Sequence, residues 1–307
     1  MRIMRRHLRQ AALMTTGAVT CLIAAWPAFA DDTPAPSDLR PVQFHDANDY
    51  DSRISHAGPL RMLSQSIVAL ACAEASQIAP DESRQHRRAA LAEFAAILQA
   101  LRQGNAAYDI HDEEEDEKTL ERLESLEGQW QAFRTHVPDD ATQLAQLDAL
   151  EQGAAVLLRD AALLVSQIIT RVSAPSAGAL TLEAVARQRM LAQRVFKDVC
   201  LMSAGVATQA AAVELATSVA YFEATMRALQ SGSESAGIAA PPDRAAEDHL
   251  AKVAVAWGQV APTLESIMRG TDPDQEALVA LFADLNALSD LLALTVAHYE
   301  QVIRVSK

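Results

Sequence analysis

The chain has 307 residues, half of them hydrophobic and only 5% aromatic, and carries a formal charge of −14 at pH 7. That balance, which grows more negative if the arginine-rich N-terminus is removed, argues against nucleic acid and anionic lipid surfaces as partners. It also means that any small anion must be bound by local geometry, against the field of the whole molecule.

Residues 1–30 read as a signal peptide. Arg2, Arg5, Arg6 and Arg9 form a basic start, Ala11 to Ala25 is an apolar run too short for a typical spanning helix, and Pro27-Ala28-Phe29-Ala30 ends in a small-x-small cleavage pattern. Thr20 before Cys21 is a poor residue for lipoprotein cleavage. After residue 30 no run of 18 or more uninterrupted apolar residues occurs, so the expectation is an exported, periplasmic chain without a further membrane span, starting at Asp31.

Residues 31–47 form a polar N-terminal linker, and from there the signal is helical, rich in Ala and Leu and free of strand-like alternation. Breakers divide the next stretch into four helices: Pro80-Asp81 after a helix over 48–79, Gly104-Asn105 after one over 83–103, and Pro138-Asp139-Asp140 between two more, the last reaching Val172. The linker 173–180 follows, with Thr181 as the expected N-cap of the next helix. Residues 181–307 repeat the plan, with loops at Ser231 to Pro242 and Gly270 to Pro273.

The repetition is literal in places. Arg61-Met62-Leu63-Ser64-Gln65 returns as Arg189-Met190-Leu191-Ala192-Gln193, and the same spacing of 128 relates Cys72 to Cys200, Phe94 to Phe222, Leu101 to Leu229 and Gly104 to Gly232. Trp130 and Trp257 follow one residue closer. A unit of roughly 125 residues, an ordinary domain length, has been duplicated in tandem. Short connections between long helices favour antiparallel neighbours, so the expected fold is all-α: two tandem up-down four-helix bundles, over 48–172 and 181–307, related by a pseudo-twofold axis. Core positions at helical spacing are Leu60, Leu63, Ile67 and Leu70, then Leu157, Ala161, Leu164 and Ile168; copy 2 offers Leu191, Val195, Met202, Leu281, Leu285, Leu288 and Leu292.

The first helix of each copy carries a second stripe. Arg61, Gln65, Val68 and Cys72 share one flank, as do Arg189, Gln193, Phe196 and Cys200. Apolar residues and cysteines on a face outside each bundle's own core suggest that the copies pack on each other through it.

His56-Ala57-Gly58-Pro59-Leu60-Arg61-Met62-Leu63-Ser64-Gln65 resembles the P-box of nitrate/nitrite sensor kinases, and both repeats resemble the N-terminal domain of the type IV pilus methyl-accepting chemotaxis transducer, the PilJ-type domain. The resemblance implies a nitrate or nitrite site at the interface, held by Arg61 with Gly58 in copy 1 and by Arg189 in copy 2. Copy 2 departs from the pattern, with Val185 and Ala186 where copy 1 has Ala57 and Gly58. The chemistry is sound independently: a guanidinium offers paired donors in a plane to two oxygens and keeps its charge. The competing arrangement pairs each arginine with an acid of its own bundle. Gln65 and Gln193, one turn further on, are possible second contacts.

No cofactor or metal is expected. The run His111-Asp112-Glu113-Glu114-Glu115-Asp116-Glu117 reads as a solvated helix start, and no zinc, haem or di-iron ligand spacing, phosphate loop or nucleophile elbow is present, so no enzymatic activity is expected. Cys72 and Cys200 each follow their arginine by three helical turns on the same face; a periplasmic disulfide and two buried thiols are both open. Two functions compete: a sensory module for a small oxyanion that signals through a membrane sensor or chemoreceptor, and a ligand-free envelope adaptor associated with pili.

Overall fold

The computed structural model describes residues 47–139, 142–171 and 177–305. The expected signal peptide over 1–30, residues 31–46 of the expected N-terminal linker, Val172 and residues 173–176 of the expected inter-copy linker lie outside the described residues. Among the described residues there are eight α-helices: α1 (Ala47–Ala75), α2 (Pro80–Gln103), α3 (Glu117–Arg134) and α4 (Leu147–Thr170) in copy 1, then α5 (Ala177–Ser203), α6 (Thr208–Ser231), α7 (Arg244–Met268) and α8 (Gln275–Val305) in copy 2. The all-α duplication is therefore shown.

Local chemistry sets the boundaries. α1 ends at Ala75, short of the expected 79, and Pro80 opens α2 ahead of the expected start at 83, because its missing N–H costs nothing in a first turn, and Asp81 and Glu82 favour the positive end of the helix dipole. Asp116 caps α3 by accepting from the backbone N–H of Thr119 at 2.9 Å, and Asp243 caps α7 by accepting from that of Ala246 at 2.8 Å. One sequence expectation fails here: α5 already runs from Ala177, so Thr181 is not its N-cap. Thr181 is buried inside the helix, and its hydroxyl accepts from the backbone N–H of Ala239, tying down the loop after α6.

The duplication extends to backbone detail. The turns into α2 and α6 place Ala79 and Ala207 in the left-handed region, at φ 41° and 46°. Gly104 and Gly232 leave the following helices at φ 74° and 77°, and each is followed by an isolated antiparallel bridge, Asn105 to Ile110 and Ser233 to Ile238. Phe94 stacks on Trp130 at 4.2 Å between ring centres, as Phe222 does on Trp257 at 3.9 Å.

Within copy 1, α1 packs on α2 and α4, and α3 packs on α4; copy 2 repeats this with α5, α6, α8 and α7. Ion pairs show the antiparallel order: Glu74 near the end of α1 meets Arg84 and Arg87 near the start of α2, and Glu114 before α3 meets Arg171 after α4. The predicted core positions are buried, Met202 only partly. The acidic run is not uniformly solvated as expected. Glu114 is buried between Arg53 at 3.3 Å and Arg171 at 2.6 Å, because the ends of α1 and α4 converge on it with two arginines.

Leu144–Thr170 and Gln275–Ile303 are long and apolar enough, by composition, to cross a membrane, a property the test for uninterrupted apolar runs misses. In this fold α4 packs against α1 and α3, and α8 against α5 and α7.

Candidate functional site: the interface between the copies

The copies meet through their first helices, α1 against α5. Both run in the same direction along the interface: Arg61 reaches Glu183, and further along Cys72 is bonded to Cys200. The cysteines are equivalent positions with Cα atoms 6.1 Å apart, as expected of residues beside a pseudo-twofold axis. Ser76 lies within 3.9 Å of both sulfurs, and Gln275 at the start of α8 donates to the backbone carbonyls of Ser76 and Gln77.

The second stripe is interior. Gln65, Val68 and Cys72 are buried, and so are Gln193, Phe196 and Cys200. Gln65 donates to the Ser64 hydroxyl at 3.2 Å. Gly58 lies beside its own motif arginine: a Cβ there would stand 3.8 Å from Arg61 Nη2, an ordinary contact, so the alanine at the equivalent position of copy 2 meets no steric bar of this kind.

The two motif arginines differ in surroundings. Arg61 is 6% exposed and donates from Nη1 to Glu183 Oε1 at 2.6 Å and from Nη2 to Glu183 Oε2. The acid belongs to the other copy, not to the arginine's own bundle. Glu183 also accepts from Arg187 at 2.8 Å. Burial pushes the Glu183 carboxyl up, but the hydrogen bonds and charges of Arg61 and Arg187 outweigh that and hold it below the usual carboxylate range.

By the repeat spacing, the residue that would mirror Glu183 on the other side is Ser55. Arg189 accordingly makes no hydrogen bond or ion pair among the described residues, and its Nε is buried without a partner. Burial lowers its pKa, against the raising field of Glu93, Asp290 and Glu300. The interface thus has a basic flank at Arg61 and an acidic flank at Arg189.

The basic flank contains a cleft of about 370 Å³. Leu158 and Ala162 of α4 form one wall, Thr217, Ser218 and Tyr221 of α6 the other, and Arg187, Met190, Leu191 and Arg194 of α5 the floor, with Arg61 beside it. Three guanidiniums therefore border one space. Their acids are Glu183 and Glu214, the latter 3.2 Å from Arg194. Polar capacity is left over: Arg61 Nε, Arg194 Nε and the hydroxyl of Ser218, a residue 1% exposed, are buried without hydrogen-bond partners.

Beyond Arg194 lies a buried ionic cluster that crosses the interface. Lys197, 1% exposed, donates to Glu151 of α4 at 2.6 Å and to Glu214 of α6 at 3.3 Å, and its Nζ is 3.2 Å from Asp198 Oδ1. The Asp198 contact is one of charge rather than of hydrogen-bond geometry, since both of its oxygens lack a donor. Burial raises the Asp198 pKa to about 7 despite Lys197.

Glu183, Arg187, Arg194, Lys197 and Asp198 were not singled out from the sequence. One signal was legible: Lys197-Asp198 and Gln188 stand where copy 1 has Ala69-Leu70 and Leu60, so polar residues replace apolar ones at core positions of the repeat. Among the described residues no group of His, Cys, Asp and Glu is placed to hold a metal ion.

Comparison with known families agrees with this architecture. The model of the type IV pili methyl-accepting chemotaxis transducer N-terminal domain, PilJ, matches twice, over residues 46–157 and 173–282. No curated protein matches the chain. The two matches run from the first helix of each bundle into its fourth and take in well over half of the sequence: this chain belongs to the PilJ family, as two tandem copies of its domain.

Proposed function

We propose that the protein is a periplasmic sensory module that binds a small planar oxyanion, nitrate or nitrite foremost, in the cleft on the basic flank of the inter-copy interface, and reports occupancy to a separate membrane sensor or chemoreceptor. The observation that carries this reading is local charge: three guanidiniums border the cleft, their direct ion-pair partners are Glu183 and Glu214, and the Ser218 hydroxyl lacks a partner. In a chain of net charge −14, three guanidiniums around one space run against the field of the whole molecule and favour an anion there. Membership of a chemotaxis transducer family supports a sensory role, and the P-box-like segment contributes Arg61 and Gly58. Arg189, on the acidic flank, together with Gln65 and Gln193, shapes the interface from outside the cleft.

Titration calorimetry with nitrate, nitrite and small carboxylates tests the proposal. Saturable heat is expected, and Arg61→Ala should weaken binding roughly tenfold or more, the scale of a lost charge-assisted hydrogen bond. Arg189→Ala should weaken it less. A specific observation favours a second reading: Glu183 already fills the Arg61 fork, as an internal carboxylate would in a ligand-free adaptor of the envelope. No saturable heat for any of these anions would establish that reading instead.

A further inference from the structure

A second cleft, of about 540 Å³, lies between α2 and α3 of copy 1, remote in sequence from the stripe residues. Comparing the copies reveals what it lacks. In copy 2 the indole N–H of Trp257 donates to Glu223 Oε1 at 3.4 Å. Trp130 occupies the equivalent place, under an equivalent phenylalanine, but the position matching Glu223 is Ala95, which brings no acceptor.

The cations are distributed the other way. Arg87, Arg88 and Arg134 line the copy 1 cleft, where copy 2 has Leu215, Ala216 and Ala261. Arg87 is bound to Glu74 and to the Pro138 carbonyl. Arg88 donates only to the backbone carbonyl of Asp139, and Arg134 lies 5.9 Å over the Trp130 ring; neither has a carboxylate partner among the described residues. Copy 2 thus has a built-in carboxylate with Leu215, Ala216 and Ala261 at the three arginine positions, and copy 1 has the arginines around a space without the carboxylate. Among the described residues Asp139 is the one acid on the lining, while Leu91, Ala92 and Ala95 supply an apolar wall.

We infer that the α2–α3 cleft binds a small organic carboxylate with an apolar body, whose carboxylate stands in for the Glu223 side chain of the other copy. Arg88 and Arg134 supply charge-assisted donors, the Trp130 indole N–H supplies a neutral one, and the apolar body covers Leu91, Ala92 and Ala95. The size of the cleft suits such a body better than a bare inorganic anion.

The test is calorimetric titration of the full-length chain with benzoate and hexanoate, with hexanol as the neutral analogue. Saturable heat is expected for the two acids and none for hexanol. Ala95→Glu, at an exposed position, restores the carboxylate of the other copy and should abolish binding with the helical circular dichroism unchanged. Arg134→Ala should weaken binding about tenfold. Arg61→Ala should leave it unaltered, which separates this site from the inter-copy cleft. The inference is overturned if neither acid gives saturable heat, if hexanol binds as well as hexanoate, if Ala95→Glu binds like the native chain, or if Arg61→Ala removes the binding.

Discussion

The Arg61–Glu183 pair is a buried, two-pronged polar link between the copies, and its energetics can be worked from its surroundings. The two side chains are 7% and 12% exposed, and both guanidinium Nη atoms are used. Removing one partner of a buried pair typically costs about 3–5 kcal/mol, because the other charge is left uncompensated. The two deletions should nevertheless differ. Arg61→Ala leaves Glu183 with Arg187 at 2.8 Å, so its cost should fall to about 2–3 kcal/mol. Glu183→Gln strands a buried guanidinium and also releases Arg187, so it should reach about 3–5 kcal/mol. The double variant should be more stable than the sum of the two losses predicts, by about 1.5–3 kcal/mol. Urea denaturation with the disulfide intact measures all four proteins. The pH dependence follows from the depressed Glu183 pKa. Its contribution is fully present above the unfolded value of about 4.5 and is lost as pH falls through the lower folded value, so Glu183→Gln should lack that part of the acid destabilisation. Additivity of the single losses to within about 0.5 kcal/mol would refute the reasoning, since it would mean that the two side chains do not depend on each other.

Other expectations follow from named contacts. Denatured, unreduced protein should show no reactive thiol at Cys72 or Cys200, and their replacement by serine should cost up to about 5 kcal/mol, the loop entropy of a closure spanning 128 residues; a full complement of free thiols would remove the bridge. Asp198 holds its proton in the folded protein up to about pH 7, against an ordinary value of 3.8, so its burial should erode stability as pH rises from about 4 to about 7 and have no further effect above. Asp198→Asn should flatten that slope in urea midpoints measured across the range. Gly104→Ala should destabilise by about 1 kcal/mol or more in the same assay, because φ is 74° and the new Cβ would stand 3.0 Å from the Asp112 carbonyl oxygen.

The tandem duplication, the all-α class and the helices were legible in the sequence because they rest on local causes: a 3.6-residue apolar period, proline and glycine at breaks, and a spacing of 128 that carries glycines and aromatics with it. The second stripe was legible too, since Val68, Phe196, Cys72 and Cys200 are poorly suited to solvent on any face. The partners of those residues required the tertiary structure. Glu183 is 122 positions from Arg61, one of 40 acidic residues, and helical periodicity specifies which face a side chain occupies without specifying what the facing helix presents. The same limit hid the cluster of Lys197 with Glu151 and Glu214, which joins three helices from two copies, and the two clefts, which exist only where helices diverge. Within a helix the sequence determines direction. Across a pseudo-twofold interface the neighbour is determined by how two bundles settle against each other, and that packing decides which charges are neutralised from within and which remain for a ligand.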